Sequence, residues 1–267
     1  MSAPLVRAAS VWKVTAPNGA SLYLAGSMHG LRSTDYPLPS AYNRAFDESS
    51  GLVFEDDPNT PFAEVRRLFK GGFYSKNDSL KNHVDPRTYS YLQRFFSLKR
   101  VPESEWSKYK PWMLTYVLSI APATNQLGIE AYLQRRARAN RKPIFGLESP
   151  REHLDVLSGM SDKLAELVLL FNFVPQGSGA NSRDDLMTEW RKGDVDAIAQ
   201  KERQDFRDLP SYEARLIDQR NRNWISKIEG YLQHHRNYFV VVGAGHLGGQ
   251  NGVLALLRNR GCQLEQL

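Results

Sequence analysis

The apolar run Tyr238-Phe239-Val240-Val241-Val242 stops at Gly243, and Ala244-Gly245-His246 follows. Five aromatic and β-branched residues in a row read as a buried strand. The glycine allows a tight turn and leaves the histidine at the strand's carboxyl end. The same device occurs near the amino terminus, where Ser21-Leu22-Tyr23-Leu24-Ala25 leads into Gly26-Ser27-Met28-His29-Gly30. Two further apolar runs end on a carboxylate, Gly51-Leu52-Val53-Phe54-Glu55 and Pro143-Ile144-Phe145-Gly146-Leu147-Glu148. In sheets with helical crossovers, sites form at the carboxyl ends of strands. The pattern therefore predicts that His29, Glu55, Glu148 and His246 converge.

The intervening segments are mostly helical. Val11–Thr15 and Leu22–Ala25 flank the turn Ala16-Pro17-Asn18-Gly19-Ala20 and predict a hairpin. A helix over Ala41–Glu48 links it to the strand ending at Glu55. Between Pro58 and Gln126 the signals are helical, with an N-cap at Asp85 before Pro86 and a nearly all-apolar helix at Pro111–Leu118. Leu127–Asn140 reads as a helix whose end places Asn140 in the left-handed region. After Glu148 come helices only, over about Pro150–Leu157, Asp162–Phe173, Arg183–Lys192, Val195–Phe206 and Ser211–Gln233. Pro175–Ala180 reads as a mobile loop beside the helix carrying Trp190. The Ser211–Gln233 helix has an apolar stripe through Ile217, Trp224, Ile228 and Tyr231, interrupted by Asn221 with Arg220 beside it. A buried asparagine needs polar partners, so this helix is expected to reach the site through Asn221 or Arg220. Gly261–Leu264 reads as an edge strand.

The organisation expected is a flexible segment over 1–10 and one domain over 11–267. The net charge of +6 is spread out, and its one dense basic stretch, Arg135–Lys142, lacks the interleaved aromatics of a nucleic-acid site. No nucleic-acid partner is expected. A single cysteine, Cys262, rules out an intramolecular disulfide and a cysteine-rich zinc site, and reads as a packed thiol. No apolar run approaches the ~18 residues of a membrane span. The amino-terminal sequence fits either a cytoplasmic start or a periplasmic or secreted chain whose export signal was replaced by Met.

Two histidines and two glutamates at strand ends can form a mixed N/O divalent-metal site, for which Mn, Co, Zn or Fe(II) suits the ligand chemistry. They can equally form a metal-free site in which histidine activates water and glutamate holds its tautomer. Neither Ser27 nor Ser149 has the setting of a nucleophile elbow, which favours water as the nucleophile. Asp56 and Asp57 read as solvated loop acids. Within the metal reading, His246 is expected to be a ligand, because the glycines at 243, 245, 248 and 249 allow close backbone approach to an ion. His29 is then the candidate for water activation, or a further ligand.

Together, Trp12-Lys13-Val14, Gly26-Ser27-Met28-His29, Tyr36-Pro37-Leu38-Pro39, Val53-Phe54-Glu55, Gly128-Ile129-Glu130-Ala131-Tyr132-Leu133, Gly146-Leu147-Glu148, Arg220-Asn221-Arg222-Asn223-Trp224 and Val242-Gly243-Ala244-Gly245-His246-Leu247 resemble the TraB/GumN family. That family includes the animal Tiki proteins and is distantly similar to erythromycin esterases and ChaN-like proteins. The resemblance runs from about Val11 to Leu267. It implies a mixed α/β (α+β), helix-rich single domain with a central mixed β-sheet and two strand-GxxH motifs facing one cleft. For Tiki-like members it implies a divalent-metal-dependent peptidase, with Mn or Co usually named, acting through metal-activated water on a peptide. Carried over, His29, Glu55, Glu148 and His246 fall on the family's polar site positions. His246, Glu148 and His29 are then the metal-ligand candidates, and His29, Glu55, Arg220 and Asn221 the catalytic ones. Glu130, Gly26 and Gly243 are supporting positions. Met28 stands where isoleucine is commoner, and Arg141 where glycine is frequent. The alternatives are a metal-free hydrolase of an ester or other small-molecule substrate, and a non-enzymatic protein that binds a peptide or signal molecule.

Overall fold

The computed structural model describes residues 9–28, 31–120, 128–174, 183–234 and 236–267. The fold is mixed α/β and helix-rich, built on one six-stranded mixed sheet. Its strands are β1 (Val11–Thr15), β2 (Ser21–Ser27), β3 (Gly51–Asp56), β4 (Ile144–Glu148), β5 (Tyr238–Gly243) and β6 (Gln263–Gln266). They lie in the order β4-β3-β5-β2-β1-β6. The four neighbours β4, β3, β5 and β2 are mutually parallel, while β1 runs antiparallel to both β2 and β6. Strands buried on both faces read as continuous apolar runs, which is why β2, β3 and β5 stand out in the sequence.

The order of the strands positions the site. The chain passes from β2 through the helix Ser40–Glu48 to β3, yet β5 is inserted between these two strands. Register places Ser27 opposite Gly243 and Asp56 opposite Glu148, so the carboxyl ends of four parallel strands lie along one edge. The chain's later return to the middle of the sheet creates the kind of switch point beside which ligands bind in open parallel sheets.

Two compact units are distinguishable. One contains the sheet and comprises Met1–Asn59, Asn125–Glu148 and Gln176–Leu267; the other comprises Thr60–Thr124 and Ser149–Pro175. The sheet unit has a core that includes Leu22, Leu24, Phe46, Phe239, Val241 and Trp224. Trp190 is fully buried in it and donates its indole N–H to Gly26 O at 2.9 Å, so its helix is anchored to β2. The predicted mobile loop at 175–180 lies outside the described residues. In the second unit, Leu80, Leu92, Phe96, Trp106, Leu114 and Leu169 pack together, and Asp85 caps its helix by accepting from Arg87 N at 2.8 Å. No helix among the described residues is long and apolar enough to cross a membrane.

Two local expectations are corrected. The helix Ile129–Ala139 does end in a left-handed residue, but that residue is Arg141 (φ 54°), while Asn140 has φ −95°. Arg141 N donates to Arg138 O and Lys142 N to Ala137 O, the paired bonds of a Schellman end, and this geometry puts the left-handed residue one position later. A side chain at positive φ costs about 1–2 kcal/mol, partly offset in glycine by its greater unfolded-state freedom. Arg141→Gly is therefore expected to stabilise the protein by roughly 0.5–1 kcal/mol, read as a higher urea midpoint at unchanged slope. An unchanged or lower midpoint would contradict that account.

The second correction concerns Ser211–Gln233, which is not one regular α-helix. Pro210–Glu213 is α-helical, Ala214–Gln219 is π-helical, and the α-helix resumes at Arg220 and runs to Gln233. The wider turn resets the helical phase immediately before the two polar residues that interrupt the apolar stripe. π segments of this kind are common at functional sites.

The basic stretch Arg135–Lys142 also has structural work on its helix's inner side. The Arg136 guanidinium lies 3.9 Å from the Phe46 ring centroid and donates to Asn43 and Asp47 at 2.7 Å. Lys142 donates to the carbonyls of Phe46 and Ser49. Cys262 is buried just before β6, and burial, with Glu229 nearby, pushes its thiol pKa up.

Candidate active site

Three of the four strand-end residues meet in the sheet unit, and Arg220 joins them. Its Nη2 donates to Glu55 Oε2 at 2.6 Å and to Glu148 Oε1, and its Nε lies 3.1 and 3.2 Å from the two Glu148 oxygens. Its Nη1 lies 3.2 Å from His246 Nε2. Glu148, Arg220 and His246 are all buried, and Asn221 is completely so. His29 lies outside the described residues.

The neighbours of His246 determine its state. A guanidinium has donors only, so Nε2 must offer its lone pair to Arg220. Nδ1 therefore carries the proton and donates it to Asn221 Oδ1 at 2.7 Å. The asparagine amide is oriented in turn, because its Nδ2 donates to Asn251 O at 2.9 Å. Asn251 donates from its own side chain to Asp218 Oδ2 at 2.8 Å, which connects the network to the π segment. The imidazole is thus neutral, with the Nδ1–H tautomer, and presents its Nε2 lone pair to the guanidinium that both carboxylates also bind.

Glu55 is held from two sides, by Arg220 and by Gly243 N, which donates to Oε1 at 2.7 Å. Burial alone would raise its pKa. The attraction of Arg220 and the hydrogen bonds from Gly243 and Arg220 outweigh burial and bring it down to about 2. Burial likewise works against the charge on Arg220, but Glu55 and Glu148 overcome it and hold the guanidinium pKa above its ordinary value.

Trp224 is the residue that sequence reasoning missed. It belongs to the apolar stripe, yet its indole N–H donates to Glu148 Oε2 at 3.2 Å. Its rings also lie 4.6 Å from the imidazole and 4.7 Å from the Arg220 guanidinium carbon. The available signal was spacing: Arg220 and Trp224 are four apart, so they share a helix face and can meet one carboxylate. Asp56 is more than a solvated loop acid. It is exposed at the end of β3, but its carboxylate lies within 4.8 Å of Glu148's in the sheet unit. Asp57 N donates to Glu148 O at 3.0 Å, and Asp57 Oδ1 accepts from Asn59 N.

The supporting positions lie around this cluster. Glu130 accepts a hydrogen bond from the buried Ser27 hydroxyl at the end of β2. A Cβ on Gly26 would come within 3.0 Å of Ala244, so glycine there lets β2 lie close against the turn that carries His246. A Cβ on Gly243 would meet Glu55 Oε1 and the His246 ring at 3.3 and 3.4 Å, whereas Gly245 and Gly248 have another reason to be glycine. A Cβ on Gly245 would come 1.6 Å from Glu202 Oε2, and one on Gly248 would come 2.1 Å from Val195 O. They admit the helix Val195–Asp205 against the turn, and close approach to an ion is not needed to explain them.

Chemically, the cluster offers an imidazole nitrogen and two carboxylates, the donor types of a borderline divalent ion. His246, Glu148 and Glu55 carry such donors, and Asp56, whose carboxylate lies within 4.8 Å of Glu148's, adds a further one. The model of the TraB/PrgY/gumN family matches residues 10–266. The chain belongs to this family. Among individual relatives, metalloprotease TIKI2 of Danio rerio is 23% identical over 313 residues, covering 96% of this chain and 60% of the relative. Metalloprotease TIKI1 of Danio rerio is 23% identical over 302 residues, covering 91% of this chain and 60% of the relative. This TraB/PrgY/gumN chain thus spans about 60% of the length of these curated relatives. No solved structure matches it.

Proposed function

We propose that the chain is a divalent-metal-dependent peptidase of the Tiki-like class. The observation that carries this reading is that His246 Nε2, Glu148 and Glu55 all meet one guanidinium, that of Arg220. The kinship with proteins named metalloproteases supports it. The donors fit an ion chemically: the imidazole is neutral with its Nε2 lone pair free of a proton, and Glu55 is ionised at neutral pH. His246 and Glu148 would hold the ion. His29 is the candidate for a third ligand or for the base that accepts a proton from water. A bound divalent ion supplies Lewis acidity and lowers the pKa of water. With no thiolate among the donors, Mn, Co or Zn suits the set.

The chain's own residues then have separate tasks. Asn221 fixes the imidazole tautomer, as a partner of a ligating histidine does. Glu55, anchored by Gly243, is the carboxylate placed to orient water or a substrate N–H. Trp224 packs over the imidazole and guanidinium and shields Glu148 from solvent on that side.

A second reading has an observation in its favour, because a guanidinium already stands at the point of convergence. In a metal-free hydrolase of esters, His246 and Glu55 would activate water and Arg220 would stabilise the developing oxyanion. Metal analysis and calorimetric titration of untagged protein separate the two. The peptidase reading expects one ion per chain in the wild type and none in His246→Ala. A wild type that binds no divalent ion yet still hydrolyses an ester moves the assignment to the metal-free enzyme.

A further inference from the structure

We infer that Arg220 is a resident cation that a divalent ion must displace, so that metal loading and the Arg220–His246 contact exclude one another. The inference rests on the metal-dependent reading above and concerns how that site is filled. Its basis is the identity of the acceptors. Arg220 bonds both groups proposed to hold the ion, Glu148 and the Nε2 of His246, and also Glu55 beside them. The Nε2 lone pair is single, because Nδ1 holds the proton given to Asn221. A nitrogen that accepts from Nη1 cannot at the same time coordinate a metal.

Turning the ring offers no way round this. An inverted imidazole would turn Cε1 towards Arg220 and Cδ2 towards Asn221, and so break the bond to Asn221, whose amide is fixed by Asn251. The exchange must therefore occur on the guanidinium side. The structure gives the guanidinium another place to bind, since Nη1 also faces Leu216 O at 3.4 Å in the π segment. Arg220 is the first residue after that segment, where the helix changes from wide to regular turns. A π turn that tightens or shifts would move Arg220 without disturbing Trp224 one turn further on.

Two consequences separate this exchange from a merely supporting arginine. Removing the guanidinium should strengthen ion binding, since its hydrogen bonds to Glu148, Glu55 and His246 and its like charge no longer oppose it. Arg220→Met keeps much of the length and apolar stem, and it should bind Co²⁺ about tenfold or more tightly than wild type in calorimetric titration. Arg220→Lys keeps the charge but lacks the forked donor, and it should fall between the two. Wild type supplies a readout that needs no variant. The guanidinium Nη protons, sheltered by two carboxylates, should exchange with water faster once Zn²⁺ is added. Equal or weaker Co²⁺ binding in both variants, with a wild type that binds it, would overturn the displacement and leave the peptidase proposal standing. Unchanged Nη exchange in Zn²⁺-loaded wild type would overturn it too, even if Arg220→Met fails to fold. Absence of binding in wild type and variants alike would remove the metal reading itself, and this inference with it.

Discussion

Arg220→Ala, assayed without divalent ions at neutral pH, is expected to lose about 3–5 kcal/mol of unfolding free energy, the usual cost of removing one partner from a buried ion pair. Most of that loss comes from what is left behind. Glu148 is buried and would lose its contacts with Nε and Nη2 while keeping the indole N–H of Trp224. Glu55 keeps the Gly243 N–H and retains some solvent access, with its side chain 19% exposed, so it suffers less. The truncation also removes the guanidinium from the Trp224 face and from His246 Nε2. A double variant, Arg220→Met with Glu148→Gln, removes one charge of each sign and should recover a substantial part of the loss. Urea unfolding of the two variants beside wild type checks both statements. A loss below about 1 kcal/mol in Arg220→Ala would mean that water reaches the carboxylates as soon as the arginine is gone.

This cluster shows which physical signals survive in a sequence. The strands that carry Glu55, Glu148 and Gly243 were legible because buried parallel strands leave apolar runs, and a charged residue or glycine marks where each run nears the edge of the sheet. Arg220 and Asn221 were legible because polar residues broke a helical stripe. Trp224 was hidden, since an indole counts as apolar in any periodicity while its N–H still bonds a carboxylate. The π segment was hidden as well, because it changes hydrogen-bond spacing without changing residue type. Gly245 and Gly248 were visible, but their packing partner was not. Glycine records that something lies close to the backbone, and here that something is Glu202 and the Val195 carbonyl. The insertion of β5 between β2 and β3 could not be read at all, as strand order is set by long-range pairing.

Stability should also fall with acid in a way that can be assigned to Glu55. Its carboxyl has a pKa of about 2 in the folded chain against an ordinary value of 4.5. A carboxyl whose pKa is depressed on folding contributes stability that is complete above its unfolded value and lost as pH falls towards its folded value. The window is therefore from about pH 4.5 down to about pH 2. The full contribution amounts to roughly 3 kcal/mol, since each tenfold change in proton affinity is worth about 1.4 kcal/mol. The cause lies in Arg220 and the Gly243 N–H outweighing burial, so the contribution depends on the carboxylate's charge and not on its shape. Glu55→Gln keeps the shape and an oxygen for Gly243 but gives up the charge. Measured by urea unfolding at steps from about pH 6 to about pH 3, wild type should lose stability more steeply than Glu55→Gln below about pH 4.5, and the two curves should draw together as the acid increases. Above about pH 5 the variant should be the less stable of the two by a similar few kcal/mol, since an amide that keeps its one oxygen for Gly243 turns a neutral NH2 group to the guanidinium where a carboxylate oxygen stood. Parallel curves through that whole range would show that the Glu55 charge contributes nothing to the folded state, and would remove the electrostatic account of how Arg220 holds the site together.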